Sequence, residues 1–281
     1  MIKPRSSAGK DRPVDSPDWS SGADTTRASV ARIYDYLLGG VHNFSVDRDI
    51  ARTLEAIEPK ARVITEANRA FMTRATRFLA AEAGIRQFID IGSGIPTQGN
   101  VHEIVQQIDP ESRVLYVDHD PVAVAHSTAL LNGNSNATVI NADLTDPAQI
   151  LDHPTTRRMI DFTRPVGLLL VAVLHFIPDE QHPASILARL RRDLAPGSHL
   201  VISHGTHHTD TGDAVTKVYR QAVTQGEATL RTSEEILAFF EGFDLLDPGL
   251  VHGPLWRPDS PDDVPDDPTR FWFLAGVGRK P

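Results

Sequence analysis

The tightest constraint on this chain is a short apolar run that ends in two glycines one residue apart. Phe88, Ile89 and Ile91 form the run, and Gly92 and Gly94 follow at once. A run this short and this apolar suits a strand buried on both faces of a parallel sheet. Glycines directly after it let the backbone turn sharply and approach a ligand closely. From about Gln98 a helical spacing begins, with Val101, Ile104, Val105 and Ile108 on one face. A second apolar run over 114–117 closes on the acids Asp118 and Asp120. Strand, glycine turn, helix, strand and acid make the βαβ half of a nucleotide-binding fold. The acid at the end of the second strand is placed to accept hydrogen bonds from ribose hydroxyls.

The glycine pattern narrows the nucleotide. A dinucleotide fingerprint needs a third glycine for close helix–strand packing. Here Gly94 is followed by Ile95, Pro96 and Thr97. Asp90, at the end of the strand, would repel a pyrophosphate. It suits a ligand carrying positive charge, and S-adenosylmethionine carries a sulfonium and an ammonium with no phosphate. Asp90-Ile91-Gly92-Ser93-Gly94 resembles the first motif of class I S-adenosylmethionine-dependent methyltransferases, and Asp118 resembles their ribose-binding acid.

Composition sets outer bounds. The 281 residues are 40% hydrophobic, enough for one large α/β domain with additions. The net charge of −9 gives no electrostatic footprint for bulk nucleic acid. The absence of cysteine excludes a disulfide frame and a thiolate zinc site, and fits a cytoplasmic protein. The first ten residues have no apolar core for a signal peptide, and no segment is apolar over the length of a membrane span.

Residues 1–25 are rich in Pro, Ser, Asp and Gly and read as a disordered tail, with Trp19 the one group able to dock. Helical periodicity then predicts helices over about 30–38, 48–57 and 63–83, with Ser45 or Asp47 as the cap of the second. Residues 26–84 thus form an N-terminal helical cap beside the glycine loop, and 85–281 the catalytic domain. Ala31-Arg32-Ile33-Tyr34-Asp35-Tyr36-Leu37-Leu38-Gly39-Gly40, with Asn43-Phe44, Asp47-Arg48, Asn68-Arg69-Ala70-Phe71 and Trp256-Arg257-Pro258, resembles a family of actinobacterial S-adenosyl methyltransferases, formerly a domain of unknown function. The resemblance runs from about Thr26 to Lys280 and supplies a cofactor and a reaction class.

Further strands are predicted over 138–140, 166–173 and 199–203, then a sixth over 243–251 and a last over 271–277. The last follows a helix-free connection and is expected antiparallel. The fold class is therefore a Rossmann-like class I methyltransferase sheet of seven strands, mostly parallel, under the helical cap. The resemblance implies cofactor contacts from Asp90, Gly92, Ser93, Gly94, Asp118, His119, Asp143, Leu144 and Val173, with Asp143 on the adenine amino group and Leu144 on the ring. An alternative role for Asp143 is the cap of a short helix near Pro147. A small-molecule acceptor is expected to enter past Tyr34, Asn43, Arg69 and His204, with His175 as candidate general base. His204, His207 and His208 lie close together, but no carboxylate or cysteine completes a ligand set, so no metal is expected. Two other readings share the fold: a cofactor-binding regulatory module without activity, and a nicotinamide-dependent oxidoreductase. The missing third glycine, Asp90 and the lack of a Tyr-x-x-x-Lys element weigh against the second.

Overall fold

The computed structural model describes residues 24–97, 99–207, 210–222 and 228–281. The expected tail with Trp19, the helix start at Gln98, and His208 lie outside these residues.

Eight strands form one sheet: β1 Gln87–Ile91, β2 Arg113–Asp118, β3 Ala137–Asn141, β4 Gly167–Val171, β5 His199–Gly205, β6 Asp244–Leu245, β7 Val251–His252 and β8 Phe273–Arg279. Their order is β3-β2-β1-β4-β5-β8-β6, with β7 also paired to β8. The first five are parallel, and β8 runs antiparallel to β5, β6 and β7. Seven strands are expected from the sequence; the difference lies in the sixth. Asp247-Pro248-Gly249 interrupts it, because proline donates no ladder hydrogen bond and Gly249 turns the chain at φ 89°. What reads as one strand becomes β6 and β7.

Both faces of the central strands are apolar, as a parallel sheet covered on both sides requires. Ile89, Ile91, Leu115, Val117, Leu168, Leu170, Leu200 and Ile202 enter one core; Phe88, Val114, Tyr116, Leu169 and Val201 enter the other. The alternation follows the two-residue period of the strand.

The helices α1 Val30–Leu37, α2 Ser45–Ile57 and α3 Ala61–Ala81 precede the sheet. The second helix starts earlier than the sequence predicts. Its flanking residue is Phe44, and Asp47, in the first turn, accepts a hydrogen bond from the Phe44 amide at 2.8 Å. Ser45 and Asp47 therefore lie inside the helix. Helix α3 packs on the sheet through Phe71, Ala75 and Leu79, all fully buried. A third apolar cluster joins Ile33, Leu37, Ala51 and Leu54 to Val215. Val215 belongs to a helix after β5, Asp210–Ala222, so a late segment of the chain completes the cap.

The connection between β7 and β8 folds back onto α3. Arg74 Nε and Nη2 donate to the Trp256 and Gly253 carbonyls, both at 2.9 Å. Trp256 is fully buried, edge-on to Phe71 and Phe78. Among the described residues no helix is long and apolar enough to cross a membrane. Trp256→Ala should lower unfolding free energy by about 3–5 kcal/mol, because the cavity left between α3 and the sheet cannot close. Urea unfolding followed by circular dichroism measures this; a loss under about 1 kcal/mol would show that Trp256 does not anchor the connection.

Candidate active site

Strand order reverses between β1 and β4, so the loops that leave their carboxyl ends diverge and open a crevice there. The glycine loop forms one wall. Gly92 and Ser93 amides donate to the Val117 carbonyl at 2.8 and 3.2 Å, which pins the turn to β2. Gly92 has φ 71°, and a Cβ there would lie 2.5 Å from Val173 Cγ2. Both the backbone angle and the packing demand glycine. Gly94 differs: its φ is 66°, but the space beside it is open. Its amide donates to Asp118 Oδ2 at 2.7 Å, while Asp118 Oδ1 accepts from the Asp120 amide at 2.8 Å.

Beyond α4, Val101–Ile108, Asp120 caps the helix α5, Pro121–Leu130, through the Val122 amide at 2.8 Å. Its other oxygen meets the Ser29 hydroxyl and lies 3.6 Å from Arg32 Nη1. Arg32 Nε also contacts Asp47 Oδ2 at 2.8 Å, and its Nη2 donates to the Asp24 and Arg27 carbonyls. The start of the cap is thus tied to the edge of the crevice by a buried ionic joint.

Behind these walls lies a cavity of about 700 Å³. Asp90, Gly92, Ser93, Gly94, Asp118, His119, Asp143, Leu144 and Val173 all line it, together with Tyr34 and Arg69. Asp143 does not cap the helix at Pro147; Asp146 does, accepting from Ala148, and Asp143 accepts from the Thr145 amide at 2.8 Å. A second cavity, about 100 Å³, lies between the cap helices and the carboxyl ends of β4 and β5. Tyr34, Asn68, Ala172 and Phe176 line both. His175 and His204 face the second cavity. Asn43 lines neither. It is buried, and its Nδ2 donates to Asp35 Oδ2 at 2.8 Å and to the Gly40 carbonyl at 3.0 Å. It braces the Gly39-Gly40 turn, where a Cβ on Gly40 would overlap Asp35.

Sequence reasoning passed over Asn68 as a site residue, although it falls in the Asn68-Arg69-Ala70-Phe71 motif. Asn68 Nδ2 donates to the Tyr34 hydroxyl at 2.9 Å, and Ser203 Oγ donates to Asn68 Oδ1 at 2.6 Å. The Ser203 hydroxyl in turn accepts from the amide of Ala172, whose φ is 55°. This chain fixes the wall that the two cavities share. Arg231 was also passed over. Only 4% exposed, it donates to the Leu174 and Ile177 carbonyls, to Asp179 Oδ1 and to His204 Nε2, and so holds the loop after β4.

The electrostatics of the larger cavity favour a cation. Burial, with the nearby Asp118 carboxylate, pushes Asp90 up to about 7 despite the Arg69 guanidinium. Burial also raises Asp118, against the pull of the amide hydrogen bonds it accepts. Two crowded acids that resist ionisation gain most from a positive ligand. Ser93 Oγ is buried without a hydrogen-bond partner among the described residues, which leaves it for a ligand. The open face of Gly94 lets a ligand reach the backbone. These features fit the aminoacyl sulfonium end of S-adenosylmethionine, and Asp118 fits its ribose diol.

A pH dependence follows. The folded Asp90 carboxyl titrates near 7, above its ordinary 3.8. The free protein therefore holds a proton that the unfolded chain releases between those values, so its stability falls as pH rises from about 4 to 7. A bound cation favours the carboxylate and expels the proton. Affinity for S-adenosylmethionine should thus rise as pH increases through about 7, with proton release on binding, and Asp90→Asn should flatten this rise. Calorimetry in buffers of different ionisation enthalpy checks it; affinity flat from pH 6 to 8 in the unaltered protein would refute the assignment.

Comparison with known proteins agrees with this geometry. The family model described as S-adenosyl methyltransferase matches residues 18–281. A crystal structure of a candidate methyltransferase from Thermobifida fusca YX is 40% identical with TM-score 0.86, over 92% of this chain and 96% of that one. A crystal structure of a DUF574 family protein from Streptomyces avermitilis MA-4680 is 40% identical with TM-score 0.87, over 92% and 99%. No curated protein matches the sequence. With a family match over nearly the whole chain and two relatives at 40% identity, the protein belongs to the S-adenosyl methyltransferase family and is an S-adenosylmethionine-dependent methyltransferase.

Proposed function

We propose that the methyl acceptor is a small, mainly apolar molecule held in the cavity beneath the cap. The observation that carries this reading is that the two cavities adjoin across one wall, to which Tyr34, Asn68, Ala172 and Phe176 each contribute. The cofactor, when bound, supplies an electrophilic methyl group on sulfur for in-line displacement. What the chain must add is proximity, orientation and exclusion of water. In this reading Asp90, Gly92, Ser93 and Gly94 hold the methionine end, Asp118 and His119 the ribose, Asp143 and Leu144 the adenine, and Val173 backs the glycine turn. Residues 26–84 act as the cap and 85–281 as the catalytic domain. A cytoplasmic location, which the lack of cysteine supports, and an actinobacterial origin, shared with the two relatives, complete it.

The walls of the acceptor cavity support an apolar occupant. Leu37, Leu54, Val215, Leu230 and Trp272 line it, and the basic groups within it are weak. Burial and the Arg231 charge push His175 down to about 3, so it is neutral at physiological pH. Burial also holds His204 well below its ordinary value, and both its ring nitrogens are engaged, with the Gly205 carbonyl and Arg231. In the proposed site His175 therefore orients the acceptor, and acceptors that part easily with a proton are favoured over aliphatic alcohols.

Two experiments test this. Calorimetric titration with S-adenosylmethionine and S-adenosylhomocysteine should give binding that Asp118→Ala weakens at least tenfold; binding unaltered by that change would remove Asp118 from the site. Incubating cell extract with protein and methyl-labelled cofactor should place label in organic-extractable small molecules. Val215→Trp, which fills the acceptor cavity, should abolish that labelling while cofactor affinity is kept. Label found only in protein or nucleic acid would overturn the small-molecule reading.

A further inference from the structure

A third cavity, about 390 Å³, lies at the opposite end of the sheet, where β1, β4 and β5 begin. Phe78, Pro165 and Leu246 give it an apolar floor, and Arg86, Arg164 and Arg279 stand around it. No carboxylate lines it, in a chain whose Asp and Glu outnumber Lys and Arg by 37 to 28. Arg86 is already engaged, with Asp109 at 2.7 Å and with backbone carbonyls. Arg164 and Arg279 are exposed and make no ion pair among the described residues; the exposed Asp161 near Arg164 is bonded to Thr163 instead.

The inner wall carries His199, directly across the antiparallel ladder from Arg279, whose neighbour on the other side is the exposed Asp244, with which it makes no ion pair. His199 is 4% exposed, its Nδ1 has no hydrogen-bond partner among the described residues, and the Gly197 backbone beside the ring favours its charged form only weakly. Burial first, and the Arg279 charge second, push the imidazole down to about 4. A buried ring nitrogen without a partner is a cost that native structures seldom leave standing. Two free guanidiniums at the mouth match the bidentate geometry of carboxylate or phosphate oxygens.

We propose that this cavity binds the oxyanion of a small carboxylate or phosphate monoester, with Arg164 and Arg279 closing on the oxyanion, His199 beneath it, and the apolar part of the ligand on Phe78 and Pro165. The site lies across the sheet from the methyl-transfer crevice and does not depend on the acceptor reading. A bound anion adds an attraction that offsets the repulsion from Arg279, so His199 gains a proton more readily when the site is filled.

The test is calorimetric titration of the full chain with phenyl phosphate, benzoate and, as the neutral control, benzyl alcohol. At least one anion should bind ten times more tightly than benzyl alcohol. Stronger binding of phenyl phosphate assigns a phosphate ester, and stronger binding of benzoate a carboxylate. The Arg164→Ala/Arg279→Ala double variant changes only exposed side chains. It should weaken anion binding at least tenfold and leave S-adenosylmethionine affinity unchanged. The His199 ring signal in proton NMR should titrate at higher pH with the anion present than without it. Equal binding of anions and benzyl alcohol, anion binding unchanged in the double variant, or an unmoved His199 midpoint would each overturn the proposal.

Discussion

The guanidinium of Arg32 joins the two parts of the molecule. It is 3% exposed and reaches Asp47 of α2, Asp120 of the β2–α5 turn, and two carbonyls of the segment that precedes α1. Asp120 then passes the constraint on: its amide holds Asp118, and Asp118 holds the Gly94 amide. A continuous line of ionic and hydrogen-bond contacts therefore runs from the cap to the glycine loop. Removing the cation would leave two carboxylates buried and uncompensated, a loss of about 3–5 kcal/mol for such pairs in general. The cap is consequently a working wall of the cofactor crevice.

That arrangement concentrates acid where burial penalises it. Asp90, Asp118 and Asp120 are each at most 6% exposed and sit within one crevice. The amide hydrogen bonds to Asp118 and Asp120 offset part of the penalty, and the Arg32 contact offsets more. Among the described residues Asp90 has neither kind of support, and the Arg69 charge opposes the effect of its burial. A protein seeking stability alone would place an apolar residue there. The unrelieved carboxylate makes sense as the counter-charge to a ligand that brings its own cation.

The sequence made the centre of the fold legible and left its edges open. Gly92, Gly94 and Asp118 could be read because the glycine turn and the strand-end acid stand in one short βαβ unit, where local geometry dictates residue type. The sixth strand could not be read correctly, because Asp247-Pro248-Gly249 divides a run whose apolar pattern is continuous. Asn43 and Asn68 show the same limit in the site. Both are asparagines in shared motifs, yet one braces a turn and the other stands between two cavities. Only the packing of α1, α3 and β5 decides which. His175 was legible in position, at the end of a central strand, but its basicity was not. That depends first on the burial of the imidazole and then on the charge of Arg231, 56 positions later in the chain, neither of which a local pattern reveals.

The same division separates what this site shares with a fold from what is its own. The cofactor crevice is built from consecutive loops of the sheet, and its demands on sequence are local and strict. The proposed acceptor cavity draws Tyr34 from α1, Asn68 from α3, Val215 from the helix after β5, and Trp272 from just before β8. No two of these are neighbours in the chain, so substitutions in the cap or in the helix after β5 can reshape this cavity without touching the glycine loop or Asp118. A single cofactor site can thereby serve different acceptors. The Tyr34–Asn68–Ser203 chain lies on the boundary between the two, where its hydrogen bonds fix the shared wall and the surrounding apolar side chains set the shape of what may approach it.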